Sequence, residues 1–167
     1  MTLTENELAP VQTHRALANT YKYGAGTVSI LIDGEDTGGA FALVDVVQKP
    51  GAEPPLHVHE TEDETFYVLE GEIDVLVGGE KHNLSAGGAI FLPRGIPHTF
   101  RIKSPVAHAL NVLRPAGFEQ WFRELGTPAE DFDLPLQPPP PSPELFARMQ
   151  RLGERLRVYV LPGEVDL

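Results

Sequence analysis

The sequence predicts an all-β fold, a single barrel or sandwich of short strands followed by helices. Short apolar or alternating runs recur at close spacing between residues 27 and 114, as in sandwiches and barrels. Glycine and proline, 16 of each among 167 residues, separate these runs. Helical periodicity appears only after Pro115. A chain of this length suits one domain with a substantial core.

The expected strands follow one another with turn residues between them. Glycine and aspartate fill the segment 33–39, where a turn is expected because both residues tolerate positive φ. The pair Gly78-Gly79 is typical of a two-residue hairpin. Beyond it, we expect His82 to lie on the surface. The predicted strands cover residues 27–32, 40–47, 64–69, 72–77, 89–92, 99–103 and 107–114.

The C-terminal part has a different character. Apolar residues at i, i+3, i+4 and i+7 predict a helix over 116–125 that ends at Gly126, and a second helix is expected over 143–156. A proline-rich linker, 134–143, precedes the second helix, and the tail 157–162 can add a short strand. The predicted apolar faces are Phe118, Trp121, Phe122 and Leu125 in the first helix, and Leu145, Met149, Leu152 and Leu156 in the second.

These patterns divide the chain into three parts. Residues 1–25 are expected to form an N-terminal arm, either loose or exchanged with a partner subunit. Residues 26–115 form the predicted barrel, and residues 116–167 form a helical extension. No internal repeat is visible, which favours one barrel.

Composition excludes several classes of function. The net charge is −11, so no basic surface is expected for nucleic acid or for an anionic membrane. The chain has no cysteine, which rules out disulfides and thiolate metal ligands. Residues 1–7 lack the pattern of a secretory signal, and no apolar window is long enough to span a membrane. We therefore expect a cytoplasmic protein that acts on a small molecule.

The segment from Gly51 to Gly71 carries the strongest functional signal. His57 and His59 are two residues apart, so both side chains leave the same face of an extended strand. Glu64 follows across an acidic turn, at the start of a returning strand. His98, after a second Gly/Pro-rich turn, is the expected fourth ligand. Imidazole and carboxylate groups together predict a site for a divalent transition metal.

The spacing of these residues resembles the two motifs of the cupin superfamily. The first motif, G(x)5HxH(x)3–4E(x)6G, is matched at every fixed position from Gly51 to Gly71. The second, G(x)5PxG(x)2H(x)3N, is matched from Gly87 to His98, with Ile102 in place of the final asparagine. The resemblance implies a jelly-roll barrel, also called a double-stranded β-helix, with the two C-terminal helices packed outside. It also implies pairing of subunits, so we expect a homodimer.

The predicted ligand set defines a range of chemistry. Three imidazoles and one carboxylate accept nickel, iron, manganese, cobalt, zinc or copper, and can leave positions for water, substrate or dioxygen. Glu64 has a possible second role as a general base. By strand parity, four neighbours point inward with the ligands: Phe66, Val68, Phe100 and Ile102. They either line an apolar substrate pocket or simply fill a small barrel.

A narrower resemblance concerns the single-barrel bacterial cupins related to quercetin 2,3-dioxygenases. That family implies a metal held by His57, His59, Glu64 and His98, and dioxygen-dependent cleavage of a flavonol ring with release of carbon monoxide. It also implies that Glu64 accepts the proton of the flavonol hydroxyl. A dioxygenase for another enolic or diketone substrate, a metal-dependent isomerase and a non-catalytic small-ligand-binding module are the alternatives.

Overall fold

The structure is a computed structural model that describes residues 8–136, 141–162 and 167. Twelve strands and two α-helices make up most of the described chain. The strands are β1 (Thr20–Tyr23), β2 (Gly26–Ile32), β3 (Ala42–Gln48), β4 (His57–His59), β5 (Asp63–Glu70), β6 (Glu72–Val77), β7 (Glu80–Ser85), β8 (Ala89–Leu92), β9 (His98–Ile102), β10 (Ala107–Arg114), β11 (Thr127–Pro128) and β12 (Val158–Val160). The helices are α1 (Glu119–Leu125) and α2 (Pro143–Leu156).

The strands form two antiparallel sheets. The larger sheet has the order β11-β1-β2-β3-β10-β5-β8, and the smaller has the order β12-β4-β9-β6-β7. Neighbours that are distant in sequence, such as β3 and β10, show that the chain crosses repeatedly between the sheets. This arrangement confirms the predicted all-β class and the jelly-roll architecture.

Two apolar clusters form the core. The first takes side chains from both sheets, including Val68 of β5 and Val75 of β6, which are completely buried. The second lies on the inner face of β2 and β3 and includes Phe122 of α1. The aromatic residues Phe118 and Trp121 pack against this second cluster, so α1 closes one end of the larger sheet.

Most of the predicted strands are confirmed within one or two residues. Residues 89–92 and 107–114 have the bounds that the sequence predicted. The Gly78-Gly79 turn joins β6 to β7, with Val77 opposite Glu80, and His82 is exposed as expected. No sequence pattern predicts β1, a short strand that pairs with β2.

The C-terminal segment contains both predicted helices, but α1 begins at Glu119 rather than at residue 116, so Phe118 precedes it. Helix α2 begins at Pro143, and the Ser142 hydroxyl accepts a hydrogen bond from the Leu145 N–H at 3.2 Å. Such a cap satisfies one of the unpaired donors of the first helical turn. The predicted apolar face of α2 is only partly buried, since Leu152 is 4% exposed but Leu145 is 38% exposed. The expected short tail strand is present as β12.

One feature of the structure bears on the predicted boundary between the N-terminal arm and the barrel. The larger sheet includes β1, so regular structure begins upstream of residue 26, inside the predicted arm. Residues 137–140 of the proline-rich linker lie outside the described residues, as does the start of the arm. The three-part division itself stays a prediction. None of the helices in the described part of the chain has the length and apolar composition needed to cross a bilayer.

Candidate metal centre

The four predicted ligands meet in the space between the two sheets. The three histidines lie on the smaller sheet: His57 and His59 on β4, and His98 directly opposite His57 at the start of β9. Glu64 reaches them from β5 of the larger sheet. Three strands, β4, β5 and β9, thus bring together residues that are up to 41 positions apart in the chain.

Their potential ligand atoms form a compact group. One ligand atom from each of His57, His59, Glu64 and His98 lies within 4.8 Å of the others. Glu64 Oε2 is 3.0 Å from His98 Nε2 and 3.9 Å from His59 Nε2. The imidazole rings of His57 and His98 are 4.5 Å apart between centroids. All four residues are at least nine-tenths buried.

Hydrogen bonds on the far side of each imidazole fix its tautomer. His57 Nδ1 is 2.9 Å from the carbonyl oxygen of Pro55, and His98 Nδ1 is 3.0 Å from that of Ile96. His59 Nδ1 is 3.5 Å from Glu62 Oε2. Because these oxygens accept hydrogen bonds, each Nδ1 carries the proton. In the neutral rings every Nε2 therefore has a free lone pair, the form in which histidine binds metals.

On the inner side of the cluster, the Nε2 lone pairs that this tautomer leaves free on His59 and His98 face no hydrogen-bond donor among the described residues. His59 Nε2 is buried without a hydrogen-bond partner. His98 Nε2 faces a Glu64 oxygen, and two lone pairs 3.0 Å apart repel each other unless a proton or a cation lies between them. If both atoms were bound to one ion at about 2.1 Å, with a near right angle between the two bonds, they would lie about 3.0 Å apart, as they do here. The residues therefore fit a divalent transition metal.

The electrostatics of the cluster favour an ionised Glu64 and a neutral His57, the protonation states that bind a metal. Burial alone would raise the pKa of the Glu64 carboxyl, but His59 and then His98 stabilise its anion and lower the pKa to about 2. Burial, reinforced by His98, lowers the pKa of His57 to about 4. For His59, burial opposes the proton, yet Glu64 and Glu62 outweigh it and raise the pKa. At neutral pH, Glu64 is ionised and His57 is neutral, as metal ligands must be.

Two buried polar residues that the sequence did not single out support the cluster. Asn111 of β10 donates a hydrogen bond from Nδ2 to Glu64 Oε1 at 3.0 Å. Glu62, 4% exposed, contacts His59 as described above. Strand parity could have found Asn111, since it alternates with Leu110 and Val112. Nothing in the acidic run 60–63 distinguishes Glu62 from its exposed neighbour Glu60.

The four residues expected beside the ligands are placed together in the first apolar cluster. Phe66 and Phe100 contact each other edge to face, with 5.7 Å between ring centroids. Val68 is completely buried, and Ile102 is 6% exposed. Their inward orientation agrees with strand parity. That they contact a substrate stays a prediction.

Comparison with known proteins agrees with this geometry. Residues 44–112 match the Cupin_2 family model, described as a cupin domain. A solved structure described as an RmlC-like cupin from Shewanella frigidimarina shares the fold: its TM-score is 0.53 at 23% identity, over 72% of this chain and 99% of that one. Residues 44–112 are thus similar in sequence to a cupin domain, and the solved structure shows the same fold.

Two curated relatives are both named quercetin 2,3-dioxygenase. The protein from Bacillus subtilis is 34% identical over 104 residues, which is 62% of this chain and 31% of the relative. The protein from Aspergillus japonicus is 36% identical over 80 residues, 45% of this chain and 23% of the relative. The chain is therefore similar in sequence to two quercetin 2,3-dioxygenases, and it spans less than a third of the length of either relative.

Proposed function

We propose that this protein is a metal-dependent dioxygenase that acts on a small aromatic or enolic substrate of the flavonol type. One divalent transition metal ion would be bound by His57, His59, Glu64 and His98. The observation that carries the proposal is that one ring nitrogen from each of three imidazoles and one carboxylate oxygen lie within 4.8 Å of one another. The two relatives named quercetin 2,3-dioxygenase supply the reaction class.

The composition of the ligand set supports a catalytic site over a structural one. Structural zinc sites are usually closed and rich in thiolates, and this chain has no cysteine. When bound, the ion would act as a Lewis acid toward an oxygen-bearing substrate. Nickel, iron, manganese, cobalt, zinc and copper all suit nitrogen and oxygen donors.

Glu64 is the residue of the cluster that can move a proton. In the proposed first step, the O–H bond of an enolic or phenolic substrate breaks and its proton passes to a carboxylate oxygen of Glu64. This step leaves the substrate as its oxyanion. Asn111 holds Glu64 Oε1 through a hydrogen bond of 3.0 Å, which keeps the carboxylate plane oriented for this role.

The surroundings of the cluster suit a planar apolar substrate. Phe66 lies two residues after Glu64 on the same strand face, and Phe100 lies two residues after His98. Both belong to or pack against the first apolar cluster. Aromatic walls beside a few polar groups are typical of small-molecule sites. We propose that Phe66, Val68, Phe100 and Ile102 contact the substrate.

Metal analysis combined with oxygen uptake tests the proposal. Protein purified without a histidine tag is expected to contain about one transition metal ion per chain and to consume dioxygen with a member of a flavonol and diketone panel. His57→Ala and Glu64→Gln should abolish turnover, whereas His82→Ala, which removes an exposed histidine, should not. Tight ligand binding by metal-free protein without oxygen uptake would indicate a binding module. Isomerisation without oxygen uptake would indicate an isomerase.

A further inference from the structure

Contacts from the C-terminal segment converge on one metal-ligand candidate, His59. We define this segment as residues 116–162, of which 137–140 lie outside the described residues. It follows the region 44–112 that matches the cupin family model. Three separate contacts link it to His59 or to the backbone beside it: a carboxylate bridge, an aromatic contact and a strand pairing.

The first contact runs through Glu62. Its Oε2 lies 3.5 Å from His59 Nδ1, and its Oε1 accepts a hydrogen bond of 2.6 Å from the backbone N–H of Phe118. The side chain is 4% exposed, so water competes little for either oxygen. Glu62 therefore connects the imidazole of His59 to the residue that precedes helix α1.

The second contact is the ring of Phe118 itself. It meets the imidazole of His59 edge to face, at 4.6 Å between centroids. Phe118 in turn stacks on Trp121, whose indole Nε1 donates a hydrogen bond of 2.7 Å to the hydroxyl of Tyr23 on β1. The ring that contacts His59 is thus fixed to the larger sheet through helix α1.

The third contact is with the backbone of the ligand-bearing strand. β4 has only one register pair with β9, His57 opposite His98, but three with β12. Val158 lies opposite His59 in this pairing. Beyond it, the N–H of Glu60 donates to the carbonyl of Arg157 at 3.0 Å, and the two side chains form a salt bridge of 2.8 Å. The C-terminal strand therefore supplies most of the pairing of β4.

We propose that the C-terminal segment completes the metal centre by holding His59, and that Glu62 is the positioning residue that connects this segment to the imidazole. The proposal rests on the metal-binding part of the proposed function. Glu62 orients the ring and keeps the proton on Nδ1, so that Nε2 presents its lone pair toward Glu64 and His98. Carboxylates that accept a hydrogen bond from a ligating histidine commonly have this effect.

The tautomer of His59 in metal-free protein gives a direct test. Proton–nitrogen correlation spectra of the full chain should show the His59 proton on Nδ1. In Glu62→Ala the ring should exchange between tautomers, and in Glu62→Gln the Nδ1–H resonance should shift. The matched control is Glu70→Gln, which changes an exposed carboxylate on β5. An unchanged His59 tautomer and resonance in Glu62→Ala would overturn the proposal.

Metal affinity gives the second readout. Titration with Co²⁺ against a competing chelator should show about 10- to 100-fold weaker binding in Glu62→Ala than in wild type. The visible spectrum of bound Co²⁺ should change as well, whereas Glu70→Gln should match wild type in both respects. Equal affinity and spectra in Glu62→Ala and wild type would contradict the proposal. Wild-type protein that binds Co²⁺ but consumes no dioxygen would instead contradict the dioxygenase assignment alone.

The strand pairing is tested by a backbone change remote from the ligands. Tyr159→Pro removes an N–H from β12 opposite Val58, whereas Tyr159→Ala keeps the backbone donor. We expect Tyr159→Pro to weaken Co²⁺ binding about tenfold and Tyr159→Ala to leave it unchanged. Equal affinities in the two variants, with circular dichroism showing both folded, would refute a role for β12.

Discussion

Two clusters in this protein pair histidine with a buried carboxylate, and they differ in how the negative charge is compensated. The inner cluster surrounds Glu64 between the sheets. The outer cluster surrounds Asp45 of β3, whose Oδ2 is 2.8 Å from His108 Nε2. Asp45 alternates with Val44 and Val46, which pack in the second core cluster, so its side chain points to the opposite face of the larger sheet.

The outer cluster contains a permanent cation. Arg15 Nε lies 3.8 Å from Asp45 Oδ1, and the Arg15 guanidinium also donates to Thr27 Oγ1 at 2.9 Å. Glu64 accepts a hydrogen bond from Asn111 and faces the Nε2 atom of His98 at 3.0 Å, but no lysine or arginine among the described residues pairs with it. The charge of Asp45 is thus compensated by a neighbouring arginine, whereas the charge of Glu64 is not, so the inner cluster is the one that needs a cation.

The largest expected effect is a difference in Co²⁺ affinity between variants of the two histidines that contact these carboxylates, His98 and His108. His98→Ala removes a ligand and should weaken Co²⁺ binding by more than the roughly 10- to 100-fold that loss of an outer-shell partner costs. His108→Ala, its counterpart on the outer face, should leave Co²⁺ affinity unchanged. Calorimetric titration of both variants measures the difference. Equal losses would show that the inner cluster is not the metal site.

The reciprocal experiment addresses stability. Asp45→Ala removes the hydrogen-bond acceptor of His108 and the anion beside Arg15, and we expect a loss of about 1–3 kcal/mol in the free energy of unfolding. Urea denaturation measures this value, and Co²⁺ affinity should stay at the wild-type level. If Asp45→Ala instead bound Co²⁺ much more weakly while its stability was normal, the outer cluster would not be separate from the metal site.

Asn111 tests how firmly the inner carboxylate is held. Asn111→Ala removes the only amide hydrogen bond to Glu64 found among the described residues, and we expect about tenfold weaker Co²⁺ binding. Asn83→Ala is the matched control, because Asn83 donates to Asp74 at an exposed site. Identical Co²⁺ affinities for the two variants would argue against a supporting role of Asn111.

The smallest effect concerns Asp63, which is next to Glu64 in the chain. Unlike Glu64, Asp63 is paired with a permanent cation, Arg94. Arg94 donates to both carboxylate oxygens, at 3.0 and 2.7 Å, and these bonds lower the pKa of Asp63 to about 2. Because the folded-state pKa lies below the unfolded value of 3.8, the stabilisation is fully present above 3.8 and is lost as the pH falls toward 2. Asp63→Asn should therefore flatten the pH dependence of the urea midpoint between about pH 4 and 2. A slope identical to wild type would exclude this contribution.

The spacing of the two motifs by itself determined most of the site. The interval from His57 to His59 places two imidazoles on one strand face, because side chains alternate with a period of two. The turns at residues 60–63 and 93–97 are short, so they restrict where the following strands, which carry Glu64 and His98, can begin. The strand bounds followed from Gly/Pro punctuation, and the metal-binding class followed from the residue types.

Only the tertiary structure decided which distant residues support those ligands. Glu62 and Glu60 belong to one acidic run, yet Glu62 contacts His59 because Phe118, 56 residues later, provides its second hydrogen bond. The pairing of β12 with β4 joins residues about 100 positions apart in the chain. Periodicity describes the face of one element, whereas contacts between elements depend on how the sheets and helices pack. For that reason the ligands could be predicted from local spacing, and the segment that holds His59 could not.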